Sequence, residues 1–101
     1  MTEEQPIARV PAGIEDMIPA YMENRHKELA ELRRLLEAAD FERVAGIAHR
    51  MIGVGTPYGF EYVTSQARAM KQAAESRDAE QVARLLEGLA DYLRKVKIET
   101  E

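Results

Sequence analysis

The chain has no cysteine, so it can form neither a disulfide nor a thiolate metal site. It has no apolar run near the roughly 20 residues that span a bilayer, so no membrane role is expected. Nor is positive charge in excess. Fourteen Lys and Arg against eighteen Asp and Glu give a formal charge of −4. Binding to nucleic acid is therefore not expected, since it needs a basic stripe to displace counterions. The charges of both signs are scattered, as on solvated helix faces. Histidine is scarce, with only His26 and His49. A di-metal helical bundle needs paired Glu-x-x-His motifs pointing inward. Glu23-Asn24-Arg25-His26 has that spacing once and without a second copy, so no metal site is expected. The start, Met1-Thr2-Glu3-Glu4-Gln5-Pro6, lacks the basic-then-apolar pattern of a signal peptide. A cytoplasmic, stand-alone protein is the expectation. At 101 residues and 46% apolar content, the chain suits one small domain with one core.

Period-two alternation is missing as well, which predicts an all-α fold. Residues 1–13 hold two prolines and a glycine without a clear period. They read as a tail, ordered at most in part against the rest. Residues 14–97 read as a bundle. Ile14, Met17, Ile18, Tyr21, Met22, Leu29, Leu32 and Leu36 follow the three-and-four spacing of a helix face. Arg25 interrupts this stripe, and snorkelling or an edge position would accommodate it. Pro19 suits only a first turn, so the helix should start near Glu15 or Asp16. Asp40 caps a second helix whose buried stripe is Phe41, Val44, Ala45, Ile47, Ala48 and Met51. The run Gly53-Val54-Gly55-Thr56-Pro57-Tyr58-Gly59 reads as a turn. A third helix carries Phe60, Val63, Ala67, Met70 and Ala74. Asp78 caps a fourth, with Val82, Leu85, Leu86, Leu89, Leu93 and Val96. Met17, Met22, Met51 and Met70 read as core filler. Four amphipathic helices joined by short turns predict an antiparallel up-down four-helix bundle, expected as a monomer.

One residue stands out within this pattern. His49 lies one step, about 100°, from the buried Ala48 position, which turns it toward water. Its same-face neighbours are Ala45, Gly46, Ile52 and Gly53. Three of the four are Ala or Gly, leaving one side of the imidazole bare. A glycine inside a helix costs roughly 1 kcal/mol relative to alanine. Two of them around one histidine suggest that something approaches closely. A neutral imidazole is a good nitrogen nucleophile near neutral pH and can accept a phosphoryl group. Charge stabilisation for such a transfer can come from a partner that brings its own metal and carboxylates. His26, flanked by Arg25, Lys27 and Glu28, reads as solvated and is given no role.

The run Ala48-His49-Arg50-Met51-Ile52-Gly53, followed by Gly59-Phe60, resembles the histidine-containing phosphotransfer (HPt) domain of bacterial phosphorelays. That pattern has an Ala-His pair, an apolar residue two after the histidine, and glycines four and ten after it. Leu32, Leu35, Asp40 and Phe41 resemble the leucine-rich helix that precedes it in the family. The resemblance spans roughly residues 14–95. It implies a four-helix bundle with an exposed phosphoacceptor histidine, here His49. It also implies a partner receiver domain of a response regulator that carries an aspartate and a magnesium ion, and a hybrid histidine kinase upstream. No cofactor in this chain and no kinase activity of its own are implied. By the same resemblance, Gly53 gives the receiver room, Gly59 shapes the turn after the second helix, and Lys71 contacts the imidazole or its phosphate. The family's usual lysine three after the histidine is Ile52 here. Arg50, Arg68 and Lys71 are the cations expected to compensate. A docking module without transfer is the alternative, with Ile52 adding to an apolar surface.

Overall fold

The three-and-four apolar spacing becomes four helices in the computed structural model, which describes residues 5–101. They are α1 (Ile18–Glu37), α2 (Phe41–Gly55), α3 (Glu61–Glu75) and α4 (Ala79–Lys95). Each helix packs on its neighbours in sequence, and α4 closes back on α1, completing the antiparallel up-down bundle. Leu32, Val44, Met51, Phe60, Val63, Met70, Val82 and Leu89 are fully enclosed in one core. The predicted stripes of α2 and α3 are buried almost residue for residue, because an amphipathic helix has only one face to hide.

The helix ends follow local chemistry. The Asp40 carboxylate accepts a hydrogen bond from the Arg43 amide (3.3 Å), and Asp78 accepts one from the Gln81 amide (3.1 Å). Both connections are built alike. Ala39 and Arg77 adopt left-handed φ values of 55° and 56°. The amides that follow reach back to the Leu35 and Ala73 carbonyls, closing each preceding helix with a Schellman turn. A 3-10 turn at Glu15–Met17 leads into α1, where Pro19 occupies the first turn and no hydrogen bond is lost.

Several residues depart from the expectations. The structure adds two strands, β1 (Ile7–Val10) and β2 (Lys97–Thr100), which pair in parallel with Ile7 beside Lys97 and Val10 beside Thr100. Thus part of the segment read as a tail is ordered, and its Ala8 and Val10 side chains are buried against the bundle. Residues 1–4 of that tail lie outside the described residues. Arg25 neither snorkels nor sits at an edge. It is only 7% exposed, ion-paired with Glu28 and stacked 4.6 Å from the Tyr21 ring centroid. Met17 is not core filler but 50% exposed, because it precedes α1 rather than lying on its buried stripe. The turn read from Gly53 starts later: α2 continues through Gly55, and a 3-10 turn at Thr56–Tyr58 follows.

Candidate functional site

His49 lies just past the middle of α2 and is exposed. Gly46 and Gly53, one turn to either side, are exposed too, and a Cβ at either position would meet nothing within 4 Å. The bare surface inferred from the residue types is therefore real in three dimensions. Helix packing does not explain these two glycines. It does explain Gly55, where a Cβ would collide with the Thr64 side chain. Gly55 is buried and lets α2 touch the start of α3. Reading Gly53, Gly55 and Gly59 as one turn signal hid this division of labour.

The relation of α2 to α3 fixes what stands beside the histidine. Gly55 lies against Thr64 at one end of the pair, and Phe41 lies under the Arg77 guanidinium (5.1 Å) at the other. Climbing α2 is thus matched step for step by descending α3, which sets His49 level with residues 69–71. The shallow hollow between the two helices is lined by Phe41, Glu42 and Ala45 from α2 and by Ala74 and Glu75 from α3. His49 follows Ala45 by one turn along this seam, and Lys71 precedes Glu75 by one turn. Arg68 comes one turn further on. His49, Ile52, Gly53, Arg68 and Lys71 therefore share the α2–α3 face. Ile52 is half-buried and packs on the core; Lys71 is half-buried and Arg68 exposed.

Two expected members lie elsewhere. Arg50 is turned toward α1, in a groove formed with Glu31, Leu35, Arg43, Gly46 and Ile47, so Gly46 borders this groove as well as the turn before His49. The reason is angular: one residue beyond His49 carries the side chain another 100° around the helix. Gly59 sits at the end of the bundle, with φ of 90°, where a Cβ would strike the Arg9 backbone of β1. It shapes the turn and seats the strand, but does not belong to the surface around His49. It also lines a broad cleft of about 930 Å³ beside β1, with Tyr62, Tyr92, Arg9 and Asp91.

The ion pairs are unevenly spread over the helices. Most Lys and Arg side chains stand within ion-pair distance of a carboxylate, including Arg9 with Glu99, Arg33 with Glu87 and Arg84 with Glu80. Among the described residues, Arg50, Arg68, Lys71 and Arg77 have no acidic partner, and all four belong to the α2–α3 hairpin or the turn that ends it. Sequence reasoning picked out three of them and missed Arg77, whose stacking on Phe41 leaves no local signal. His49 also makes no hydrogen bond or ion pair within the described residues. Among the described residues, Arg68 and Lys71 are thus the two unpaired cations on the α3 side of His49, while Arg50 faces α1 and Arg77 caps the far end of the hairpin. Within the described residues no group of three or more His, Asp or Glu side chains is placed to hold a metal ion. No described helix is long and apolar enough to cross a membrane.

Tyr58 packs on the bundle with its ring 5.0 Å from that of Tyr21. Tyr21 in turn stacks on Phe60 (4.6 Å), and burial raises its phenol above the ordinary range despite the Arg25 charge nearby. No family model matches the chain, and no curated protein or solved structure matches it.

Proposed function

We propose that this protein is a histidine phosphotransfer protein, carrying a phosphoryl group on His49 between receiver-domain aspartates of a two-component phosphorelay in the cytoplasm. The observation that carries the reading is the exposed imidazole on α2 between two glycines that face open space. An acceptor that takes a group from a second protein must be reachable from outside its own surface. Gly46 and Gly53 leave the approach clear along one turn of helix in each direction.

In the transfer step the distal imidazole nitrogen, Nε2, attacks phosphorus with its lone pair. The P–N bond forms as the P–O bond to the aspartate breaks, and the carboxylate leaves with that electron pair. The imidazole proton on Nδ1 stays or passes to water, since no described side chain hydrogen-bonds to it. A magnesium ion held by the partner would supply charge stabilisation to the phosphoryl group. From this chain, Lys71 and Arg68 supply positive charge on the same face, Lys71 as a point charge free to turn toward phosphate. Kinase chemistry is not part of this reading; a hybrid histidine kinase supplies the phosphate upstream.

The half-buried Ile52 favours a second reading, a docking module that binds a receiver or other signalling protein without transfer. It puts an apolar patch where the resemblance implies a lysine. Incubation with phosphorylated receiver domains separates the two. Transfer predicts an acid-labile, alkali-stable label that His49→Gln removes, and faster labelling in Ile52→Lys. Saturable receiver binding with no label on either protein would establish docking alone, and a label that survives His49→Gln would sink the assignment.

A further inference from the structure

The two strands form an unusual object. Parallel pairs are ordinarily covered on both faces, and a two-stranded ribbon is marginal by itself. Here β1 is anchored by Ala8 and Val10, but β2 overhangs the bundle and is exposed at Lys97, Ile98 and Thr100. The Lys97 and Glu101 amides bond to the Pro6 and Val10 carbonyls of β1 (2.8 and 3.0 Å). Backbone groups alternate in direction along a strand, so those of Ile98 and Thr100 point outward, away from β1. Among the described residues no strand pairs with this outer edge. Ile98 itself is 39% exposed, one of few large apolar side chains left in solvent. An open edge of this kind is a template for another strand.

We propose that this edge pairs with the same edge of a second copy of the chain, forming a dimer with a continuous four-stranded sheet, in place of the expected monomer. The pattern of β2 selects the register. In an antiparallel pair with Ile98 on the two-fold axis, the two Ile98 residues exchange both outward hydrogen bonds and cover each other's side chains. Lys97 then stands opposite Glu99 of the second copy, and Glu99 opposite its Lys97, so both charge pairs are complementary. The neighbouring antiparallel register, with Glu99 on the axis, sets two like charges face to face. An in-register parallel pairing sets Lys97 on Lys97 and Glu99 on Glu99. The isologous Ile98-centred arrangement closes on itself and leaves only the β1 edges, which are seated against Gly59.

Sedimentation velocity over a range of protein concentrations reads the oligomeric state, with circular dichroism confirming that each variant keeps its helices. The wild-type chain is expected to sediment as a reversible dimer at high concentration. Lys97→Glu and Glu99→Lys, each alone, face like charge to like charge and are expected to lose the dimer. An equimolar mixture of the two restores both complementary pairs and is expected to recover it as a heterodimer. A wild-type chain that stays monomeric throughout, single variants that dimerise as wild type does, or a mixture that stays monomeric would each overturn the proposal.

Discussion

At the scale of single residues, burial decides more than identity. Arg25 sits on the buried face of α1, and its charge is tolerable only because Glu28 and the Tyr21 ring accompany it. Removing one member of a buried pair leaves the other uncompensated, which typically costs 3–5 kcal/mol. Glu28 keeps some contact with water, so Arg25→Ala is expected to lose about 3 kcal/mol. The double change Arg25→Met with Glu28→Leu is expected to recover most of it in chemical denaturation. Tyrosine gives a second check. Burial, with lesser contributions from the Tyr21 and Tyr62 phenols, pushes Tyr92 up to about 12. A phenol raised in the fold favours its neutral form there. Its contribution to stability is whole below the unfolded value, near about 10, and is lost as pH climbs through about 12. Ultraviolet titration should show tyrosinate forming late at Tyr92 and Tyr21, with unfolding in that alkaline window; Tyr92→Phe should remove the Tyr92 part. The exposure of His49 was legible from its step off the apolar stripe. The burial of Arg25 was not, because a charged side chain gives no hint that two others will shelter it.

At the scale of elements, glycine is the residue whose meaning the structure divides. Gly46 and Gly53 are helical and open, so alanine fits without strain and removes backbone freedom from the unfolded chain. Each Gly→Ala change is expected to stabilise the protein by about 0.5–1 kcal/mol. Larger side chains should be tolerated in the fold as well, yet Gly53→Leu is expected to cut receiver binding about tenfold or more by filling the clearing. Gly55→Ala should instead destabilise, since its methyl group meets Thr64. Thermal unfolding beside receiver-binding affinity reads both effects. Loss of stability in Gly53→Ala, or undisturbed binding in Gly53→Leu, would show that the clearing has a structural origin. Sequence spacing placed α3, α4 and both aspartate caps well, because periodicity and capping are local. It missed β1 and β2 because each has four residues and its partner stands at the other end of the chain. Nothing local distinguishes Lys97-Ile98-Glu99-Thr100 from a polar tail.

At the scale of the whole molecule, the bundle separates two functions of surface. Its α2–α3 side holds an imidazole in the open with Arg68 and Lys71, which no described carboxylate neutralises. The end that joins α1 to α2 and α3 to α4 carries the caps and Schellman turns, and the end with the α2–α3 connection carries the terminal strands seated on Gly59. Of the candidate residues, the exposure of His49 and the openness at Gly53 were legible from residue type and spacing. The placement of Arg50 toward α1 and of Gly59 beneath β1 required the three-dimensional arrangement, because adjacency in sequence does not set direction around a helix. The most direct measurement of the central claim is nuclear magnetic resonance of the imidazole nitrogens after mixing with phosphorylated receivers and magnesium. A phosphorus-coupled Nε2 signal at His49, absent at His26 and reversed when unphosphorylated receiver is added, is the predicted result. Phosphate on His26 instead, or an unchanged His49 with no receiver bound, would contradict the account.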